Sequence, residues 1–194
     1  MAITGLGVVS AFGSGRDKFW DAIRGGQSGT RAITEFDVST YPCRVAAPVP
    51  AIAIASAAAI DGEPGPRETR ADPKRYSRAA LFGVMAAREA WNDAGLSFAE
   101  PNAGVIIGSG GGGIDVGERQ YQDFFQNNGH QVTPYAIAVG ICGMVSSEIS
   151  IALGLRGISH VLSTGCTSST DALGYALMLL RQGECEVLLS GGTD

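Results

Sequence analysis

Three short apolar runs do most to limit what this chain can fold into. They are Val105-Ile106-Ile107, Val161-Leu162 and Val187-Leu188-Leu189, and helix-patterned stretches separate them. A strand that returns through a helix re-enters its sheet in the same direction, because tight turns join only antiparallel neighbours. The reading is therefore an α/β layered fold with a mixed, mainly parallel sheet. Strands are expected over residues 102–108, 159–163 and 187–190, and helices over 115–126, 137–153 and 169–182. Upstream, 74–94 reads as a helix with Leu81, Val84, Met85 and Trp91 on or near one face, ended by Gly95. Residues 17–24 read as a helix stopped by Gly25-Gly26, and 2–4 with 8–10 as a short strand running into a turn at Gly5 and Gly7. Pro42 and Pro48 break an irregular or strand-like stretch over 33–49, 51–60 has weak helix character, and 61–73 is the most loop-like segment.

The chain's 194 residues are enough for one domain with a real core. With 45% hydrophobic and 17% charged residues, the composition is that of an ordinary soluble globular protein. A net charge of −5 with no clustered Lys and Arg argues against a nucleic-acid partner. No apolar run approaches the roughly 20 residues of a membrane span, and the N-terminus does not read as a signal peptide. The four cysteines, Cys43, Cys142, Cys166 and Cys185, show neither CxxC nor metal-ligand spacing. They read as reduced thiols of a cytoplasmic protein with no metal site.

Chemistry concentrates at one of them. In Leu162-Ser163-Thr164-Gly165-Cys166-Thr167-Ser168-Ser169 an expected strand leads into a turn and an expected helix follows. Small neighbours leave room for a substrate to approach the thiol. A helix starting just after it aims free N–H groups and a positive dipole end at the sulfur, which favours the thiolate. Without that context, a free cysteine is most often a buried small hydrophobe; Cys142 and Met144 are read as core packing and Cys185 as structural. The glycine run 110–113 lacks the Lys-Ser/Thr of a phosphate loop and a ribose-binding acid, so it is assigned to close backbone packing. Thr167, Ser168 and Asp171 are read as candidate helix caps.

The cysteine motif, together with Gly154-Leu155-Arg156-Gly157, Gly174-Tyr175-Ala176 and Val187-Leu188-Leu189-Ser190-Gly191-Gly192, resembles the β-ketoacyl synthases of the thiolase superfamily. Ile3-Thr4-Gly5-Leu6-Gly7, Phe36-Asp37, Asp93-Ala94-Gly95-Leu96 and Ile107-Gly108-Ser109-Gly110 extend the likeness upstream, so that it covers essentially the whole chain. The Gly-Cys-Thr-Ser form looks most like the ketosynthase subunits of type II polyketide systems, with fatty-acid elongating synthases close by. Non-catalytic chain-length-factor partners lack the cysteine, so Cys166 argues for the catalytic type.

The resemblance implies a five-layer αβαβα thiolase-like fold, with residues 1–194 as its N-terminal half. It implies that Cys166 accepts an acyl group from acyl carrier protein. Decarboxylative Claisen condensation with a malonyl carrier unit follows, and the Cys166 N–H serves as an oxyanion-hole donor. No cofactor is implied beyond the carrier's phosphopantetheine. Gly111 and Ala136 align with slots that are often bulky in relatives, and are read as substrate-binding positions that widen the acyl pocket. The family's two histidines and lysine lie in its second half. Of the two histidines here, His160 precedes Cys166 by six residues, about 20 Å along an extended strand. His130 lies in a polar loop and is read as an ordinary surface residue. The expected partners are a complementary C-terminal half on another polypeptide or segment, acyl carrier protein, and a ketosynthase-like or chain-length-factor subunit in a homo- or heterodimer. A non-catalytic, pocket-shaping subunit is the alternative, and a thiolase or initiating synthase using coenzyme A thioesters is a third option.

Overall fold

A computed structural model describes residues 1–51, 76–97 and 102–194. The expected loop over 61–73, nearly all of 51–60 and the first residues of the 74–94 helix lie outside them. The centre of the fold is a three-stranded parallel sheet. Its middle strand, β5 (Ala103–Gly108), lies between β6 (Ser159–Leu162) and β7 (Val187–Gly192). Two small antiparallel pairs precede it, β1 (Val9–Ser10) with β2 (Gly13–Ser14) and β3 (Arg31–Ala32) with β4 (Val45–Ala46). The sheet sits between helices, giving an α/β/α sandwich, and all six residues of β5 are buried.

The alternation of β5 divides the interior in two. Val105 and Ile107 face a cluster formed with Ala79, Ala87 and Trp91 of α2 (Arg78–Asp93) and Val145, Ile149 and Leu153 of α5 (Met144–Leu153). Ile106 faces the other way, onto Ala172, Ala176 and Leu179 of α6 (Ser168–Gln182). Burial of each of these β5 side chains contributes about 1.5–3 kcal/mol, so both helical layers are anchored to one strand. The remaining helices are α1 (Arg16–Arg24), α3 (Ile114–Gln126) and α4 (Ala136–Gly140).

Three expectations are corrected. Helix α2 starts at Arg78, because Ser77 accepts a hydrogen bond from the Ala80 N–H at 3.1 Å and caps it. The first eight residues form no strand in the described structure. They run along α2, with the Leu6 N–H on Asp93 (3.0 Å) and the Val8 N–H on Glu89 (2.8 Å). Gly7 lies so close that a Cβ there would sit 1.9 Å from the Ala86 carbonyl oxygen. The expected helix over 137–153 is two helices, because Ile141 is extended (φ −94°, ψ 139°). The 110–113 loop packs onto this break: a Cβ on Gly113 would stand 2.2 Å from the Val139 oxygen, and one on Gly112 2.7 Å from the Cys142 Cα.

Candidate active site

Cys166 lies in a single 3₁₀ turn, Gly165–Thr167, between the end of β6 and the start of α6. The thiol is exposed, and helix α6 begins two residues later. The turn depends on Gly165, whose φ of +69° lies in the left-handed region where a side chain is strained. It is seated on the C-terminal ends of the sheet by missing side chains. A Cβ on Gly108 would fall 2.2 Å from the backbone C and O of Ser168, and one on Gly192 2.4 Å from the Ser169 Cβ.

Thr167, Ser168 and Asp171 do not act as expected. The helix N-cap is Thr167, and it makes no side-chain cap bond. Instead the three side chains tie the turn together. Buried Ser168 accepts from the Thr164 N–H at 2.9 Å and donates to the Gly165 carbonyl at 2.6 Å. Asp171 Oδ2 accepts from the Thr164 hydroxyl and from the Thr167 hydroxyl, the latter at 3.1 Å.

A second anchor was not foreseen. The Asp194 carboxylate lies in the glycine loop and accepts from the N–H groups of Gly110 (2.9 Å), Gly111 (2.9 Å) and Gly112 (3.2 Å) and from the Ser109 hydroxyl (2.9 Å). Burial pushes this carboxyl up, but those four donors outweigh it and hold it below its ordinary value. Successive backbone N–H groups pointing into one concavity form an anion-binding nest, filled here by the protein's own carboxylate. The loop also meets the cysteine turn, since Ser163 donates to the Gly110 carbonyl at 3.4 Å. The signal in the sequence was a glycine run after one strand and an acid after its neighbour, which only strand pairing brings together.

The candidate pocket positions separate. Ala136 lines an open apolar groove of about 400 Å³ between α3 and α4, with Tyr121, Phe124, Phe125, Ile137 and Ile141. Gly111 lies in the nest, where a Cβ would meet only Ile114 at an ordinary 3.7 Å. His160 is on β6 with its ring stacked on Tyr175 of α6 at 6.0 Å, and His130 is exposed beyond α3. Among the described residues, no group of His, Cys, Asp and Glu is arranged to hold a metal.

An exposed cysteine on a glycine turn at a helix N-terminus, above the ends of parallel strands, has the strand–turn–helix order expected from the residues around Cys166. Residues 1–194 match the family described as Beta-ketoacyl synthase, N-terminal domain. The chain belongs to that family. It is 32% identical over 197 residues to a 3-oxoacyl-[acyl-carrier-protein] synthase 2 of Coxiella burnetii, covering all of this chain and 45% of that protein. It is also 32% identical over 204 residues to the tetracenomycin polyketide synthase ketoacyl synthase alpha subunit of Streptomyces glaucescens, again covering 45% of it. Among solved structures, the ishigamide ketosynthase/chain length factor superposes with a TM-score of 0.81 at 28% identity, over 99% of this chain and 46% of that one. The fold is thus that of the thiolase-like ketosynthases, and the chain spans less than half the length of these relatives.

Proposed function

We propose that this chain is the nucleophile-bearing half of a β-ketoacyl synthase working in polyketide or fatty-acid chain elongation. The observation that carries the reading is the Cys166 thiol, exposed on the Gly165–Thr167 turn at the head of α6. The Cys166 sulfur attacks the thioester carbonyl of an acyl carrier protein. The carbonyl-to-sulfur bond of the phosphopantetheine breaks, the carrier leaves as its thiol, and the acyl group stays on Sγ. The Cys166 N–H is one donor to the oxyanion. A malonyl carrier unit then loses carbon dioxide, its carbanion attacks the new thioester, and the cysteine leaves. A complementary C-terminal half supplies the histidines for this second stage. Substrates arrive on the carrier's phosphopantetheine, and the chain itself holds no other cofactor.

A ketosynthase-like or chain-length-factor subunit is the proposed dimer partner. The ketosynthase/chain length factor pairing named for a structural neighbour supports this choice. A cytoplasmic location is proposed on the four free cysteines; no described helix is long and apolar enough to cross a membrane. Ala136 and Gly111 are proposed to shape the acyl site.

The test is acylation of the complete synthase by acyl carrier protein, read by mass spectrometry of peptides. Peptide resolution matters because Cys43 is also exposed. Acyl mass on the Cys166 peptide is the expected result. Its absence with the complementary half present refutes the reading and favours a non-catalytic subunit.

A further inference from the structure

We propose that Asp171 is a positioning residue for the nucleophile: its carboxylate holds the residues on both sides of Cys166 to the first turns of α6. The inference rests on the reading of Cys166 as the acyl acceptor. Thr164 lies two residues before the cysteine and Thr167 one after it, and both hydroxyls reach the same oxygen, Asp171 Oδ2. Proton accounting makes the carboxylate the key member. Each threonine hydroxyl has one proton to give. Thr167 Oγ1 also lies 3.2 Å from Thr164 Oγ1 and 3.1 Å from the Thr164 carbonyl. A carboxylate oxygen can accept from both hydroxyls at once, so Asp171 closes a loop of side chains around the cysteine.

The turn needs such a tie. Gly165 gives it its shape but, having no side chain, does little to hold it there. The Ser168 hydroxyl fixes only the backbone at Thr164 and Gly165. Without Asp171, the Thr167 side chain loses its link to the body of α6 and has only Thr164 left to bond, and Thr164 stays tied to α6 through its N–H on Ser168 alone. Asp171, Thr164 and Thr167 are all exposed in this chain, away from both hydrophobic clusters. Their removal therefore has little effect on global stability while loosening the position of one reactive atom.

The experiment uses the complete synthase and single-turnover acylation of Cys166 by an acyl carrier protein, resolved by peptide mass. Iodoacetamide alkylation of the same cysteine gives a carrier-independent readout. Asp171→Ala is expected to slow acylation on the order of 10- to 100-fold, with carrier affinity and melting temperature close to wild type. Asp171→Asn keeps an oxygen that accepts both hydroxyls, and is expected to recover most of the rate. Thr164→Val is expected to be slow as well, and the double variant no slower than Asp171→Ala alone, because Asp171→Ala already removes the Thr164–Asp171 bond that Thr164→Val removes. Wild-type acylation in Asp171→Ala, no recovery in Asp171→Asn, or additive losses in the double variant each overturn the proposal. If Asp171→Ala does not fold, Thr164→Val and Asp171→Asn still decide it. Absence of acylation in the wild type overturns the Cys166 reading and this inference with it. Normal wild-type acylation with an unaffected Asp171→Ala overturns this inference alone.

Discussion

Adding one methyl group at Gly108 should disable the site from beneath. The new Cβ would lie 2.2 Å from the backbone C and O of Ser168 and 2.3 Å from the Ser169 N. These are backbone atoms, so no rotamer change relieves the clash. Reaching an ordinary contact of 3.4 Å requires the head of α6 to retreat by about 1.2 Å. Cys166 lies two residues from that point and moves with it. Overpacking of this kind costs about 1–3 kcal/mol of stability. A displacement of about 1 Å at a reacting atom costs on the order of 100-fold in rate. Gly108→Ala in the complete synthase should therefore lower the urea midpoint and reduce Cys166 acylation by about two orders of magnitude. The control is Gly174→Ala on the same helix, where a Cβ meets nothing within 4 Å. That variant should gain about 0.5–1 kcal/mol from helix propensity and acylate normally. An unchanged urea midpoint together with unchanged acylation in Gly108→Ala would refute the claim that the glycine seat sets the position of the cysteine.

The remaining expectations follow from other anchors. The folded-state pKa of Asp194 is depressed, so its contribution to stability is full above the unfolded value near 3.8 and is lost as pH falls through the folded one. Acid unfolding curves of wild type and Asp194→Asn should therefore differ at neutral pH and converge in strong acid, and parallel curves would contradict the nest. Ser77→Ala removes the α2 cap and should cost about 0.5–2 kcal/mol in denaturant titration, with Cys166 acylation unaffected. Ala136→Phe fills part of the apolar groove, and with Gly111→Ile should shorten the products seen by mass spectrometry; unchanged chain lengths would remove both residues from the acyl site.

The sequence revealed the parts of this fold that depend on local pattern. Val105-Ile106-Ile107 announced a buried strand, and the small residues around Cys166 announced the turn that carries it. Where a distant part of the chain decides, local pattern misleads. The apolar periodicity over 137–153 is continuous, yet the helix breaks at Ile141, and Gly112 and Gly113 pack against the break from another part of the chain. Residues 2–4 and 8–10 read as a short strand, but the Leu6 N–H is held by Asp93, 87 positions away, and the Val8 N–H by Glu89, 81 positions away. Asp194 meets the glycine loop across 82 to 85 positions, and nothing near it in sequence marks it as an anchor. Asp171 was legible as a residue near a helix start, but its bond to Thr164 was not, because Thr164 lies on the far side of the cysteine.

The seat beneath Cys166 also separates two mutational classes among the described glycines whose φ is not in the left-handed region. At Gly108 and Gly192 every natural replacement adds atoms where backbone or side chain already stands, so neutral drift is closed at those positions. At Gly143 and Gly174 a Cβ meets open space, and a random library would accept substitutions there. A deep mutational scan scored on stability alone should therefore mark out the nucleophile's support without sight of any substrate. Engineering for robustness can harvest the second class while leaving the first untouched.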